Sequence, residues 1–255
     1  MTFYLYLFCV LLIYFNAFRV CTEGISNNGN FYTDSNGRQV VERVLNQRPT
    51  FEINMTEPIA QNYYPINSKI LIKNQDYQLG LLTDRSQSGT SLQDGCVEAM
   101  VHRRLLDDDA FGVGEALNEK AYGKGLVAVG KHVLLVDEEE QSFNEQHRIK
   151  AIELFHEPML IFGDLQQGSN FPFIPKLTEA LPKNIHILTL RKMPRNYDPF
   201  GKYLFLQLEH IFQKNEHDSL SQQVTVVLEN LFEVKMIDVY MMIFGNLILG
   251  HDFML

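Results

Sequence analysis

The sequence predicts an all-β chain, a β-sandwich with one short helix. Three observations carry this reading. Short apolar segments recur between turn-forming clusters, the spacing of a sandwich rather than of a βαβ fold. Leu204, Leu206 and Leu208 alternate with Phe205, Gln207 and Glu209, the period-2 pattern of a half-buried strand. After the N-terminal run only residues 138–155 show sustained helical spacing, through Ile149, Ile152 and Phe155. At 255 residues the chain is long enough to bury a sizeable core.

Taken in order, residues 1–18 read MTFYLYLFCVLLIYFNAF, an uncharged apolar run without Gly or Pro. It is expected as an apolar leader helix within a segment 1–21. A secretory signal peptide, a signal anchor and an artefact of coding-sequence assembly all fit, since a basic n-region and a small-x-small cleavage site are missing. Residues 22–30 form a polar linker or turn. In FYTDSNGR, starting at Phe31, Asp34-Ser35-Asn36-Gly37 sits between extended flanks as a hairpin signal. The pattern over 40–45 does not decide between helix and strand. Residues 66–73 and 78–83 read as paired strands around Asn74-Gln75-Asp76. Extended segments follow over 97–106, 127–137, 157–162, 185–190 and 224–228, with Pro172, Pro175 and Pro182 between two of them. The sandwich is expected over 22–235. A divergent apolar tail follows over 236–255, either a pair of core strands or a run without its partners.

Charge excludes one function class. With 31 acidic against 22 basic residues the formal net charge is -9, and no Lys/Arg cluster is present to track a phosphate backbone, so no nucleic-acid partner is expected. Cys9, Cys21 and Cys96 give no framework; isolated thiols are the default, and a Cys21–Cys96 pair stays open. Asn54-Met55-Thr56 is an N-glycosylation sequon, meaningful on the secretory route.

The informative anomaly lies in 97–106. On a period-2 strand Val97, Ala99, Val101, Arg103 and Leu105 share one face, and Glu98, Met100, His102 and Arg104 the other. A guanidinium on an apolar face must pair or point into a polar site. The structural reading pairs Arg103 with Asp94, Asp107 or Asp108; His102 reads as a surface or supporting residue. Other motifs fall away. His156-Glu157-Pro158 lacks the second histidine of a zinc helix, Gly112-Val113-Gly114 lacks the third glycine of a phosphate loop, and Asp107-Asp108-Asp109 reads as a solvated turn. No carboxylate pair for glycoside hydrolysis is nominated by spacing.

Four segments then change the reading. FYTDSNGR at Phe31, TEPIAQNYYPINSKI at Thr56, LLTDRSQSGTSLQDG at Leu81 and EAMVHRRLLDDD at Glu98 closely resemble, in order, the C-terminal half of the α-mannosidases of glycoside hydrolase family 38. Weaker similarity continues through LPKNIHILTL at Leu181 and YLFLQLEHIF at Tyr203, so the resemblance covers about 29–233. It implies a galactose-mutarotase-like β-sandwich packed on a catalytic N-terminal half, which is its expected partner. That half holds the zinc cofactor and both catalytic aspartates; no catalytic or metal residue is expected in this chain. The implied activity is hydrolysis of terminal α-mannose in N-glycan oligosaccharides in the lysosome, with this chain inactive alone. Arg103 and Arg104 are the implied sugar-binding residues. The alternative is a secreted, non-catalytic carbohydrate- or partner-binding module.

Overall fold

A computed structural model describes residues 2–10, 16–34, 36–105, 107–112, 114–160, 162–163, 177–201, 203–229, 231–232, 240–243 and 246–249. The chain divides into two compact units, Met1–Glu157 and Pro158–Leu255, where the sequence pattern ran one sandwich from 22 to 235.

Unit one contains β1 (Thr2–Val10), β2 (Asn16–Cys21), β3 (Asn30–Asp34), β4 (Val40–Val44), β5 (Tyr64–Ile66) and β6 (Lys69–Lys73). It continues with β7 (Gln78–Thr83), β8 (Gln87–Thr90), β9 (Cys96–His102), the short pair β10 (Lys120–Ala121) and β11 (Lys124–Gly125), β12 (Val127–Asp137) and helix α1 (Glu140–Phe155). One antiparallel sheet has the order β1-β12-β7-β6-β3-β4, and a second has the order β2-β9-β8-β5. The ambiguous 40–45 segment is a strand, paired with β3 as the hairpin signal requires.

Alternation builds three layers. Ile70, Ile72, Leu79, Leu81, Leu134 and Val136 meet Val97, Ala99, Phe18 and Val20 of the smaller sheet in the sandwich core. Their neighbours Leu71, Leu82, Val133 and Leu135 point the other way, onto Phe143 and Leu154 of α1. This explains why β7 is buried at every position: it is covered on both faces. Gly80 fits the close approach of α1, since a Cβ there would lie 2.7 Å from Phe143 Cζ.

The N-terminal run departs from its expected helix. β1 pairs antiparallel with β12, from Thr2 opposite Leu135 to Val10 opposite Val127. Its aromatic and β-branched residues favour a pleated surface, and β12 offers an open edge for pairing. β2 belongs to the other sheet, pairing with β9, so the segment grouped as 1–21 lies in two sheets. Among the described residues no helix is long and apolar enough to cross a membrane. The default of isolated thiols is also corrected. Cys21 and Cys96 face each other across β2 and β9 and form a disulfide, their Cα atoms 4.1 Å apart.

Unit two contains an antiparallel pair, β13 (Ile185–Lys192) with β14 (Leu204–His210), and a hairpin of β15 (Tyr240–Ile243) with β16 (Asn246–Leu249) in the apolar tail. The strands expected over 157–162 and 224–228 do not form; the first has irregular backbone at its described residues and the second a single bridge residue. Pro158 removes a ladder donor from the first. Pro172 and Pro175 lie outside the described residues.

Candidate arginine-lined site

A cavity of about 530 Å³ opens where β8 and β9 run out, lined by Arg85, Gln87, His102, Arg103, Arg104 and Glu119 among others. The two sequence-nominated arginines are thus brought to one place, though not as expected. β9 ends at His102 and its ladder with β8 already stops at Met100, so Arg103 is exposed rather than inward on a strand. With no neighbouring strand to continue the pleat, alternation ceases to govern orientation. Val97 and Ala99 do face the core.

None of the three aspartates considered as partners meets Arg103 among the described residues. Asp94 instead accepts from Ser26 Oγ at 2.7 Å and from the amides of Asn27 and Asn28 at 2.8 Å. Those hydrogen bonds, led by Ser26, hold its carboxyl below the ordinary range. Asp107 is exposed, and Asp108 and Asp109 accept from the amides of Ala110 and Phe111, as a solvated turn would. Arg104 Nη2 donates to Asn118 O at 3.4 Å, which leaves most of its fork uncommitted among the described residues.

The far wall is held more tightly. Arg85 pairs with Asp84 through Nε at 2.9 Å and Nη2 at 3.3 Å, and donates to Val129 O at 2.5 Å. Asp84 also accepts from the Lys131 amide at 2.7 Å. Gly130 leaves room for the Arg85 guanidinium, which a Cβ there would displace. Behind this wall His132, 1% exposed, bonds Gln87 Oε1 through Nε2 at 2.9 Å and meets Phe18 edge-on at 4.8 Å. Its Nδ1, together with Thr83 Oγ1 and Gln87 Nε2, is buried without a hydrogen-bond partner among the described residues. Of these three residues Gln87 lines the cavity. The sequence offered one signal for it, the polar TDRSQ run leaving a buried strand.

Burial pushes the His132 imidazole below its ordinary value of 6.5, while Asp84 pulls it up and Arg85 pushes it down. The unfolded chain therefore binds a proton at higher pH than the folded one. Stability from keeping His132 neutral is complete above about pH 6.5 and is lost as pH falls through the lower folded value. Denaturation measured between about pH 7.5 and about pH 5 should show a shallower acid-side decline in His132→Gln than in wild type. Parallel declines would contradict this.

Chemically, the site sets three arginine donors beside His102 and Glu119. Among the described lining residues Glu119 is the one carboxylate, and Asp84 is committed to Arg85. Among the described residues no three His, Cys, Asp or Glu side chains converge on a point, so they do not fit a zinc ion. Asn54 of the sequon is exposed on the loop between β4 and β5.

Residues 20–111 match the C-terminal domain of glycosyl hydrolases family 38. This chain carries that domain. The match holds the end of β2, β3 through β9 and both arginines. The bovine lysosomal α-mannosidase is 44% identical over 217 residues, covering 82% of this chain and 21% of that protein. The human lysosomal α-mannosidase is 41% identical over 216 residues, covering 82% and 20%. The α-mannosidase of Canavalia ensiformis is 30% identical over 230 residues, covering 85% and 23%. The chain thus spans about a fifth of the length of the relatives it matches. The antiparallel sheets of unit one are the expected sandwich of the family 38 C-terminal domain.

Proposed function

We propose that this chain supplies one wall of the sugar site of an α-mannosidase acting on terminal α-mannose in N-glycan oligosaccharides. The carrying observation is that Arg103 and Arg104, in one of the four stretches that resemble α-mannosidases, line one cavity with donor capacity to spare. Guanidinium forks bond vicinal hydroxyls or fix a carboxylate, and both are needed beside a glycosidic bond. Glycoside hydrolysis also needs two carboxylates held several ångströms apart. Those carboxylates and the zinc belong to a catalytic half that packs on this sandwich, and the chain alone is inactive. The names of its relatives favour a lysosomal or secretory location, and the Cys21–Cys96 disulfide suits that oxidising route. On that route Asn54 carries an N-glycan; an Asn54→Gln variant migrating with the secreted wild type would remove that assignment.

The test pairs this chain with a family 38 catalytic half and assays an aryl α-mannoside. Arg103→Ala and Arg104→Ala should each lower kcat/KM by roughly 10- to 100-fold, the worth of a charge-assisted hydrogen bond, with folding unchanged. Turnover by the chain alone, or variants with wild-type kcat/KM, would overturn the proposal. A chain that binds mannosides in calorimetry yet never supports hydrolysis with a catalytic half would instead be a non-catalytic carbohydrate-binding module.

A further inference from the structure

We infer that Arg43 and Arg48 form a binding site for a dianionic oxyanion, a phosphate or sulfate group, beside the β3–β4 edge of the larger sheet. The two guanidinium carbons lie 4.3 and 4.8 Å from the centre of one ring, that of Tyr64. Tyr64 is itself fixed, 8% exposed and edge-on to Phe31 at 5.7 Å. Arg43 donates through Nε to Thr33 Oγ1 at 3.0 Å. Arg48 donates through Nη1 to Gln47 O at 3.0 Å and through Nη2 to Gln61 O.

The loop that carries Arg48 is not free to swing. Asn62, fully buried, accepts from the Asn46 amide at 2.8 Å and donates to Asn46 Oδ1 at 2.8 Å and Pro58 O at 2.7 Å. Both cations are therefore held in place before any ligand arrives, which lowers the entropy lost on binding.

What the pair lacks is a counter-charge. Arg19 has Glu98 and Arg85 has Asp84, but neither Arg43 nor Arg48 has a carboxylate partner among the described residues. Both are partly buried. Burial lowers the Arg43 value first, the Tyr64 phenol opposes this, and the neighbouring Arg48 lowers it further. Two like charges taken partly out of water beside one ring are unfavourable until an anion joins them. Among the described residues both Nη groups of Arg43 and the Nε of Arg48 remain to receive it. A carboxylate would neutralise one cation; a phosphate monoester, carrying about -1.5 to -2 at neutral pH, neutralises both. On a chain of net charge -9 such attraction is local and not a property of the whole surface.

Titration calorimetry on the full chain at low salt tests this with inorganic phosphate, sulfate and a hexose phosphate, against chloride at matched ionic strength. Saturable binding is expected, weakened at least tenfold by Arg43→Gln and by Arg48→Gln and unaffected by Arg103→Gln. Should the glutamine variants fold poorly, Arg43→Lys and Arg48→Lys keep the charge and should retain weaker binding. The wild-type thermal midpoint should also rise with phosphate beyond the matched chloride. Tighter binding of the hexose phosphate assigns the ligand as an ester, and equal binding assigns the free ion. No saturable heat with wild type, an unchanged affinity in both glutamine variants, or binding of an acidic peptide but of no oxyanion would overturn the inference.

Discussion

Replacing Cys21 and Cys96 together by serine should cost this protein about 3–4.5 kcal/mol of stability, the upper figure being the loop-entropy value for a closure of this length. The bond joins residues 75 positions apart and so encloses β3 through β8, six of the ten strands of the two sheets. Without it β2 is held at the edge of its sheet by its ladder with β9, by Phe18 and Val20 in the core, and by Arg19 bonding Glu98 at 2.6 and 2.8 Å. The last of these is a partly exposed pair worth little alone. Urea unfolding should therefore shift to a lower midpoint in the double variant, and wild type treated with reductant should follow it. Amide exchange in β2 should accelerate first, because an edge strand opens locally before the core. An unchanged midpoint with and without reductant would show that the ladder and the core carry β2 unaided.

The parts of the fold legible in the sequence are those where local pattern and tertiary environment agree. FYTDSNGR marked its hairpin because turn chemistry and flanking strands act over a few residues. The helix over 140–155 was placed by Ile149, Ile152 and Phe155, but its buried face is Phe143, His147 and Ala151, and Phe155 is exposed. The N-terminal run could not be placed so, because an uncharged apolar segment has no polar face from which to read a period, and its partner β12 lies more than a hundred residues away in the chain. The disulfide was hidden for a related reason. Opposing Cys21 to Cys96 requires the register of β2 against β9, which is set by the inward alternation of Phe18, Val20, Val97 and Ala99 rather than by anything near the cysteines.

The site was legible through resemblance more than through pattern. An arginine on an apolar face was a sound reason to look at Arg103, yet the strand it was placed on stops one residue earlier. Arg103 and Arg104 line the same cavity because the chain leaves the sheet there, not because they alternate across it. Arg85 and Gln87 share the TDRSQ run, but His132 comes from β12, and no spacing in the sequence brings it to them. The same holds for Arg43 and Arg48. Five positions apart and on no common helix, they meet only through Tyr64, which arrives from the next strand.

Asp34→Ala should destabilise unit one by about 4 kcal/mol, and Asp34→Asn by about 3, because the buried carboxylate accepts from a cluster of backbone amides and a hydroxyl. Asp34 is fully buried at the end of β3. Its Oδ1 accepts from the amides of Asn67, Ser68 and Lys69 at 3.1, 2.9 and 2.9 Å, and Oδ2 accepts from Ser68 Oγ at 2.9 Å. Those residues make the turn from β5 into β6, the passage from the smaller sheet to the larger. An alanine would remove the carboxylate from the Asn67, Ser68 and Lys69 amides and the Ser68 hydroxyl, whereas an asparagine keeps one acceptor but sets its own amino group against the same donors. The aspartate of the FYTDSNGR motif, one of the strongest marks of resemblance to the α-mannosidases, is thus a fastening between two sheets. Unfolding midpoints of the two variants, with the denaturant slope unchanged, measure that role. A loss below about 1 kcal/mol, together with abolished turnover in the assembled enzyme, would instead assign Asp34 to the chemistry.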